Sequence, residues 1–215
     1  STGWGAGASI IHTVEDAMAH LGIQSKEPYA PYRFTVDEYY RMADAHIINE
    51  DDRVELLDGQ LTVKEPPGPP HSAHVAKLNR LFVRLLGDRA VVRPQDPLRI
   101  DDLNHPEPDL AIVKPREDFY ARAHPGPQDV LLVVEIAVSS AAGDRRVKAP
   151  LYARAGIMEF WLVDVPGLFV EVYREPNAGG YRHCERLGRD ESVVPVAFPD
   201  LEIAVSEVVH PIPED

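Results

Sequence analysis

The sequence predicts an α/β or α+β domain: a central mixed β-sheet flanked by helices, with a helix-and-hairpin extension on its N-terminal side. Three observations carry that expectation. Apolar residues at Val75, Leu78, Leu81, Phe82, Leu85 and Leu86 recur at helical spacing across residues 71–86. Residues 109–113 and 130–138 are short, β-branched apolar runs of the kind that form buried strands. The order of elements is helix, hairpin, helix, several strands, helix, strands, which describes one sheet carrying two main helices.

Taken in order, residues 1–9 are small and glycine-rich and read as a flexible tail, and residues 13–21 as a short helix. Together they suggest an N-terminal extension over residues 1–31, a single domain over 32–208 and a tail over 209–215. Thr35-Val36-Asp37-Glu38 is a capping box that opens a helix over residues 36–43. Residues 53–57 and 60–64 flank Asp58-Gly59, a pair suited to a type I′ turn, so they form a hairpin. Pro66, Pro67, Pro69 and Pro70 make a rigid break before the second helix.

Strands are expected at residues 90–93, 98–101, 109–113 and 130–138, with a polar, proline-rich connection over 114–129. A helix follows over about 144–155, in which Pro150 must distort the backbone because it lacks an N–H and crowds the preceding turn. Residues 159–164, 168–174, 181–187 and 201–205 complete the strands.

Composition narrows the class of protein. An apolar share of 44% supports a real core. One cysteine, Cys184, excludes an internal disulfide framework and suggests a reducing compartment. No apolar run approaches the roughly 20 residues of a membrane span, and the N-terminus lacks a secretory pattern, so the expected location is cytoplasmic with no membrane partner. A formal charge of −13 argues against tight metal-free binding to nucleic acid, which relies on phosphate neutralisation.

The chemistry concentrates in two strands. Glu107-Pro108-Asp109-Leu110 and Val133-Val134-Glu135-Ile136 each place a carboxylate inside an apolar run. An ionised carboxylate buried there costs several kcal/mol unless donors or a cation compensate it. Two on neighbouring strands repel as well, so a divalent metal such as Mg²⁺ is a natural occupant. The residues alone leave a structural ion pair with Arg145 or Arg99 open. Lys148, four residues after Asp144, has an equally ordinary reading as an i,i+4 partner. His71 and His74 have no Cys/His cluster beside them that would make a zinc site. Tyr152, Phe160 and Trp161 read as core.

These motifs resemble the Uma2 family (DUF820), endonucleases of the PD-(D/E)XK superfamily. The resemblance rests on Glu55-Leu56-Leu57-Asp58-Gly59, the proline break before His74, Glu107-Pro108-Asp109-Leu110, and Glu135 to Ser139. It continues through Asp144, Lys148, Tyr152, Gly156 and Phe160 to Asp164, and covers about residues 32–203. It implies a restriction-endonuclease-like core and a metal-dependent endonuclease that hydrolyses phosphodiester bonds in nucleic acid, DNA in the first instance. Asp109, Glu135 and the Ile136 backbone carbonyl would bind Mg²⁺ or Mn²⁺. Lys148 and Glu55 would join Asp109 and Glu135 as catalytic residues, and His74, Arg145 and Arg146 would contact substrate. The superfamily pattern wants a lysine two residues after the glutamate, where this chain has Ala137; Lys148, on the following helix, resembles a migrated version. A basic strip of Lys77, Arg80, Arg84, Arg145, Arg146 and Arg154 would follow the backbone, and the protein would be a homodimer. The alternative is a nuclease-like fold without turnover, acting as a nucleic-acid- or protein-binding regulatory module.

Overall fold

The structure, a computed structural model, describes residues 29–213. The helix expected over residues 13–21 lies outside them. By backbone contacts the chain divides into Ser1–Arg33 and Phe34–Asp215, and the second unit holds every element described.

Helix α1 (Val36–Asp44) opens with the expected capping box: the Thr35 hydroxyl accepts from the Glu38 amide, and the Glu38 carboxylate accepts from the Thr35 amide. Strands β1 (Val54–Leu57) and β2 (Gln60–Val63) pair antiparallel about Asp58-Gly59. Positive φ at both turn residues, 52° and 73°, marks the type I′ geometry that matches strand twist. Helix α2 (Pro69–Leu86) follows, with prolines in its first turn where missing N–H groups do no harm.

The central sheet has six strands, β3 (Val91–Pro94), β4 (Leu110–Val113), β5 (Val130–Ala137), β6 (Glu159–Asp164), β7 (Phe169–Asn177) and β8 (Gly180–Gly188), adjacent in sequence order. Only β5 and β6 run parallel, and between them lies helix α3 (residues 141–154). Such a crossover is what a parallel pair requires. A small pair, β9 (Ser192–Val193) with β10 (Ile203–Ala204), and a short helix α4 (Val205–Val208) complete the fold.

Strand alternation divides the core into two faces. Leu110, Ile112, Leu132, Val134, Ile136, Trp161 and Val163 pack with Leu78, Leu81 and Phe82 of α2 and with Val205 and Val208 of α4. Ala111, Val113, Val133, Ala137, Phe160 and Leu162 pack with Leu151 and Tyr152 of α3 and with Leu57 of the hairpin. By the same alternation Asp109 and Glu135 belong to the α3 face, because they share its odd-numbered positions on β4 and β5.

Three local expectations are corrected. Residues 98–101 form no strand. The Leu98, Arg99 and Ile100 amides bond the Pro106, Pro125 and Asn104 carbonyls in turn, bracing a loop that also receives the Val36 and Gly59 amides. With donors going to scattered partners, and Pro97 and Pro106 at its ends, the segment cannot build a ladder. Residues 209 and 210 are no free tail, since Val209 is buried in the core. The helix over 144–155 starts earlier and contains a π-turn, Asp144–Lys148, in which the Ala149 amide bonds the Asp144 carbonyl. Pro150 has no N–H for the Arg146 carbonyl, and the widened turn absorbs that loss.

Candidate active site

The register Leu110↔Val134 places Asp109 opposite Glu135, one step beyond the last ladder pair of β4 and β5. The Ile136 amide, having no strand partner there, donates instead to Asp109 Oδ2 at 2.8 Å. In an antiparallel pair the N–H and C=O of one residue point to the same neighbour, so the Ile136 carbonyl faces the Asp109 side too.

Around this pair the fold gathers Glu55, Lys148, Lys64, Asp144, Tyr152 and His71. Lys148 Nζ lies 2.8 Å from Glu135 Oε1 and 3.2 Å from Glu55 Oε1, all three side chains being buried. Tyr152, one turn further along α3, donates its hydroxyl to the same Glu135 oxygen at 2.8 Å. The Glu107 amide donates to Glu55 Oε1, and Lys64 Nζ bonds the Glu107 carbonyl at 2.7 Å while standing 3.6 Å from Glu55 Oε1. His71 Nε2 lies 3.0 Å from Asp109 Oδ2. Each carboxylate of the central pair therefore has one oxygen held by two donors. Among the described residues nothing donates to Asp109 Oδ1 or Glu135 Oε2.

Charge explains the titration of the cluster. Burial pushes Glu135 up to about 8; Lys148 opposes the rise and the nearby Asp109 and Asp144 charges add to it. Asp144 is raised by burial as well, partly countered by Lys148 and by its Ser140 hydrogen bond. Burial would raise Asp109 too, but the His71 hydrogen bond and charge, Lys64 and the Ile136 amide outweigh it and hold the carboxyl below its usual range. Burial alone would lower the Lys148 pKa; the Glu135, Glu55 and Asp144 charges outweigh it and hold the ammonium above its ordinary value. The neighbourhood thus holds five acidic side chains (Glu55, Glu107, Asp109, Glu135, Asp144) against Lys64, Lys148, Arg53 and His71, an excess that favours a further cation.

The donor set suits a hard ion. Two carboxylate oxygens without hydrogen bonds and a backbone carbonyl match the way Mg²⁺ is held, by one or two carboxylates with water and substrate phosphate. Among the described residues, no three His, Cys, Asp or Glu side chains converge as an all-protein metal cage. A cavity bounded by Ile100, Asp101, Asn104 and Arg154 is lined by none of these five acidic side chains.

The other expected site residues fall elsewhere. His74 turns both ring nitrogens to backbone, Nδ1 to the Pro70 carbonyl and Nε2 to His210, tying α2 to the C-terminal segment. His71, one turn earlier, takes the place at the site. Arg145 reaches across to Glu171 at 2.7 Å and Asp164 at 3.1 Å, away from the carboxylate pair. Arg146 is exposed and makes no ion pair among the described residues. Lys77, Arg80 and Arg84 ride on α2, whereas Arg145, Arg146 and Arg154 ride on α3, on the opposite face of the sheet, so they form no single strip. Lys64, His71, Asp144 and Tyr152 were not expected as site residues. Asp144, Lys148 and Tyr152 recur every four residues, a spacing that puts them on one side of a helix and could have revealed two of them.

Comparison with known proteins identifies the family and agrees with the fold. The family model of Uma2, described as "Putative restriction endonuclease", matches residues 36–206. No curated protein matches the chain. Among solved structures, a protein titled as a putative nuclease belonging to DUF820, from Anabaena variabilis ATCC 29413, superposes with a TM-score of 0.66 at 19% identity. The match covers 81% of this chain and 97% of that one. No described helix is long and apolar enough to cross a membrane.

Proposed function

The chain belongs to the Uma2 family of nucleases, and on that premise we propose that it is a Mg²⁺- or Mn²⁺-dependent endonuclease that hydrolyses phosphodiester bonds in DNA. The observation that carries this reading is the facing pair Asp109 and Glu135, each with one oxygen fixed by two donors and the other without one among the described residues. Asp109, Glu135 and the Ile136 carbonyl would hold the ion. Bound there, it would polarise the scissile phosphate and lower the pKa of a water molecule.

The protein's own groups supply the rest. Lys148 stays charged between Glu135 and Glu55, so it serves as a fixed cation that orients the attacking water and offsets charge on the phosphate, rather than as a base. Glu55 keeps that ammonium in place, and Lys64 holds the backbone that leads into Asp109. Water attacks phosphorus in line and the 3′ oxygen departs. Homodimerisation, which would give each strand of a duplex its own site, is part of the same proposal.

The test is plasmid nicking with Mg²⁺ or Mn²⁺ by wild type, D109A and K148A. Metal-dependent nicking lost in both variants is expected. A wild type that binds DNA without cutting under either metal would favour the second reading, a regulatory module without turnover. Two features favour that alternative: the charge of −13, and basic residues divided between opposite faces of the sheet.

A further inference from the structure

We propose that His71 is a positioning residue that pins the Asp109 carboxylate through Oδ2 and so presents Oδ1 to a divalent cation; the inference rests on the metal reading given above. Asp109 lies in the turn before β4, and no strand pairing holds its side chain. A carboxylate torsion is broad and roughly two-fold, so an unrestrained Asp109 would sample several orientations. Two donors remove that freedom. The Ile136 amide approaches Oδ2 from β5 at 2.8 Å, and His71 Nε2 approaches the same oxygen from the first turn of α2 at 3.0 Å.

The bond has a defined direction. An ionised carboxylate only accepts, so the ring donates from Nε2. Its Nδ1 is buried and has no hydrogen-bond partner among the described residues, so Asp109 is the one group that the ring's polar edge orients. The arrangement is asymmetric across the pair. Glu135 is held by Lys148 and Tyr152, both from α3, whereas the side chain on Asp109 comes from α2 on the other face of the sheet. Outer partners of this kind set ligand orientation, and losing one typically weakens metal binding by about 10- to 100-fold.

The experiment is calorimetric titration of Mn²⁺ into metal-free wild type, H71F and H71Q, with circular dichroism to establish folding. H71F keeps the ring and removes the donor, while H71Q returns an amide N–H near the Nε2 position. H71F should weaken Mn²⁺ binding by about 10- to 100-fold, and H71Q should recover most of it. The Mn²⁺ concentration for half-maximal cleavage should shift in parallel, with KM for DNA unchanged. If H71F does not fold, H71N, whose amide is too short to reach Oδ2, replaces it in the comparison. Wild-type affinity in a folded H71F overturns this inference alone. Equal loss in H71F and H71Q also overturns it, because the ring would then act by shape. Absence of Mn²⁺ binding by wild type overturns the metal reading and this inference with it.

Discussion

Lys148 Nζ stands 2.8 Å from Glu135 Oε1, and it reaches that oxygen from a helix rather than from the strand. The position two residues beyond the glutamate, where the pattern expected from the resemblance would put a lysine, is Ala137, buried against α3. The π-turn over Asp144–Lys148 is where the chain delivers the replacement amine, next to the proline that an unbroken α-helix would reject. One ammonium then serves two carboxylates, Glu135 and Glu55, on separate elements.

That dual role makes Lys148→Met a severe change. It leaves two buried carboxylates without their shared cation, and breaking a buried pair in this way costs about 3–5 kcal/mol. Metal-free stability, read by urea denaturation, should fall by that order. Lys148→Arg should rescue neither stability nor cleavage, because the ammonium sits in a space only 6% exposed and a guanidinium is longer and planar. An arginine variant with wild-type nicking would exclude a role specific to the amine.

The two central carboxylates should respond oppositely to neutralisation. Glu135 is raised chiefly by burial, so Glu135→Gln removes a costly buried charge while its amide oxygen still accepts from Lys148 and Tyr152 and Glu55 still pairs that ammonium. The metal-free melting temperature is expected to stay level or rise. Asp109 is lowered, so Asp109→Asn forfeits charge-assisted hydrogen bonds from His71 and Ile136 and should cost about 1–3 kcal/mol. Scanning calorimetry in chelator measures both. Equal destabilisation by the two changes would contradict the charge asymmetry described for the site.

A third expectation concerns acid. His105 is buried behind the hairpin; its amide bonds the Leu56 carbonyl, and its Nε2 lies 2.9 Å from the Tyr40 hydroxyl. Burial, helped by the neighbouring His124, lowers its pKa from 6.5 to about 4. The folded state therefore disfavours the protonated ring. Stability is full above pH 6.5 and falls as the pH drops through 6.5 towards 4, because the unfolded chain takes up the proton first. A shift of that size corresponds to about 3 kcal/mol at most. Denaturant unfolding at pH 7, 5 and 4 should show this slope reduced in His105→Gln; an unchanged slope would assign the acid sensitivity to other groups.

How much of this was legible beforehand follows from the range of each interaction. The capping box at Thr35 and Glu38, the Asp58-Gly59 turn and the periodic face of α2 are set by neighbours within a few residues, and their sequence patterns named them. Asp109 and Glu135 were visible because a carboxylate in an apolar run is costly wherever that run folds. Loop 98–101 misled because its local content resembles a strand while its amides serve partners in two separate segments, residues 104–106 and Pro125. His71 and His74 are both helical histidines three residues apart. Only the packing of α2 against the C-terminal segment on one side and the β4 entry on the other decides which one meets Asp109.

The sequence by itself determined most of the elements and the acidic pair, because periodicity, turn chemistry and the cost of a buried charge are local properties, while the lysine that would accompany the pair came from the family resemblance. Tertiary structure alone decided that Glu55 and Glu135 share one ammonium, that His71 rather than His74 reaches Asp109, and that Arg145 turns to Glu171 instead. Those choices depend on distances between segments up to 80 residues apart in the chain, as for Glu55 and Glu135, and no local pattern encodes such distances.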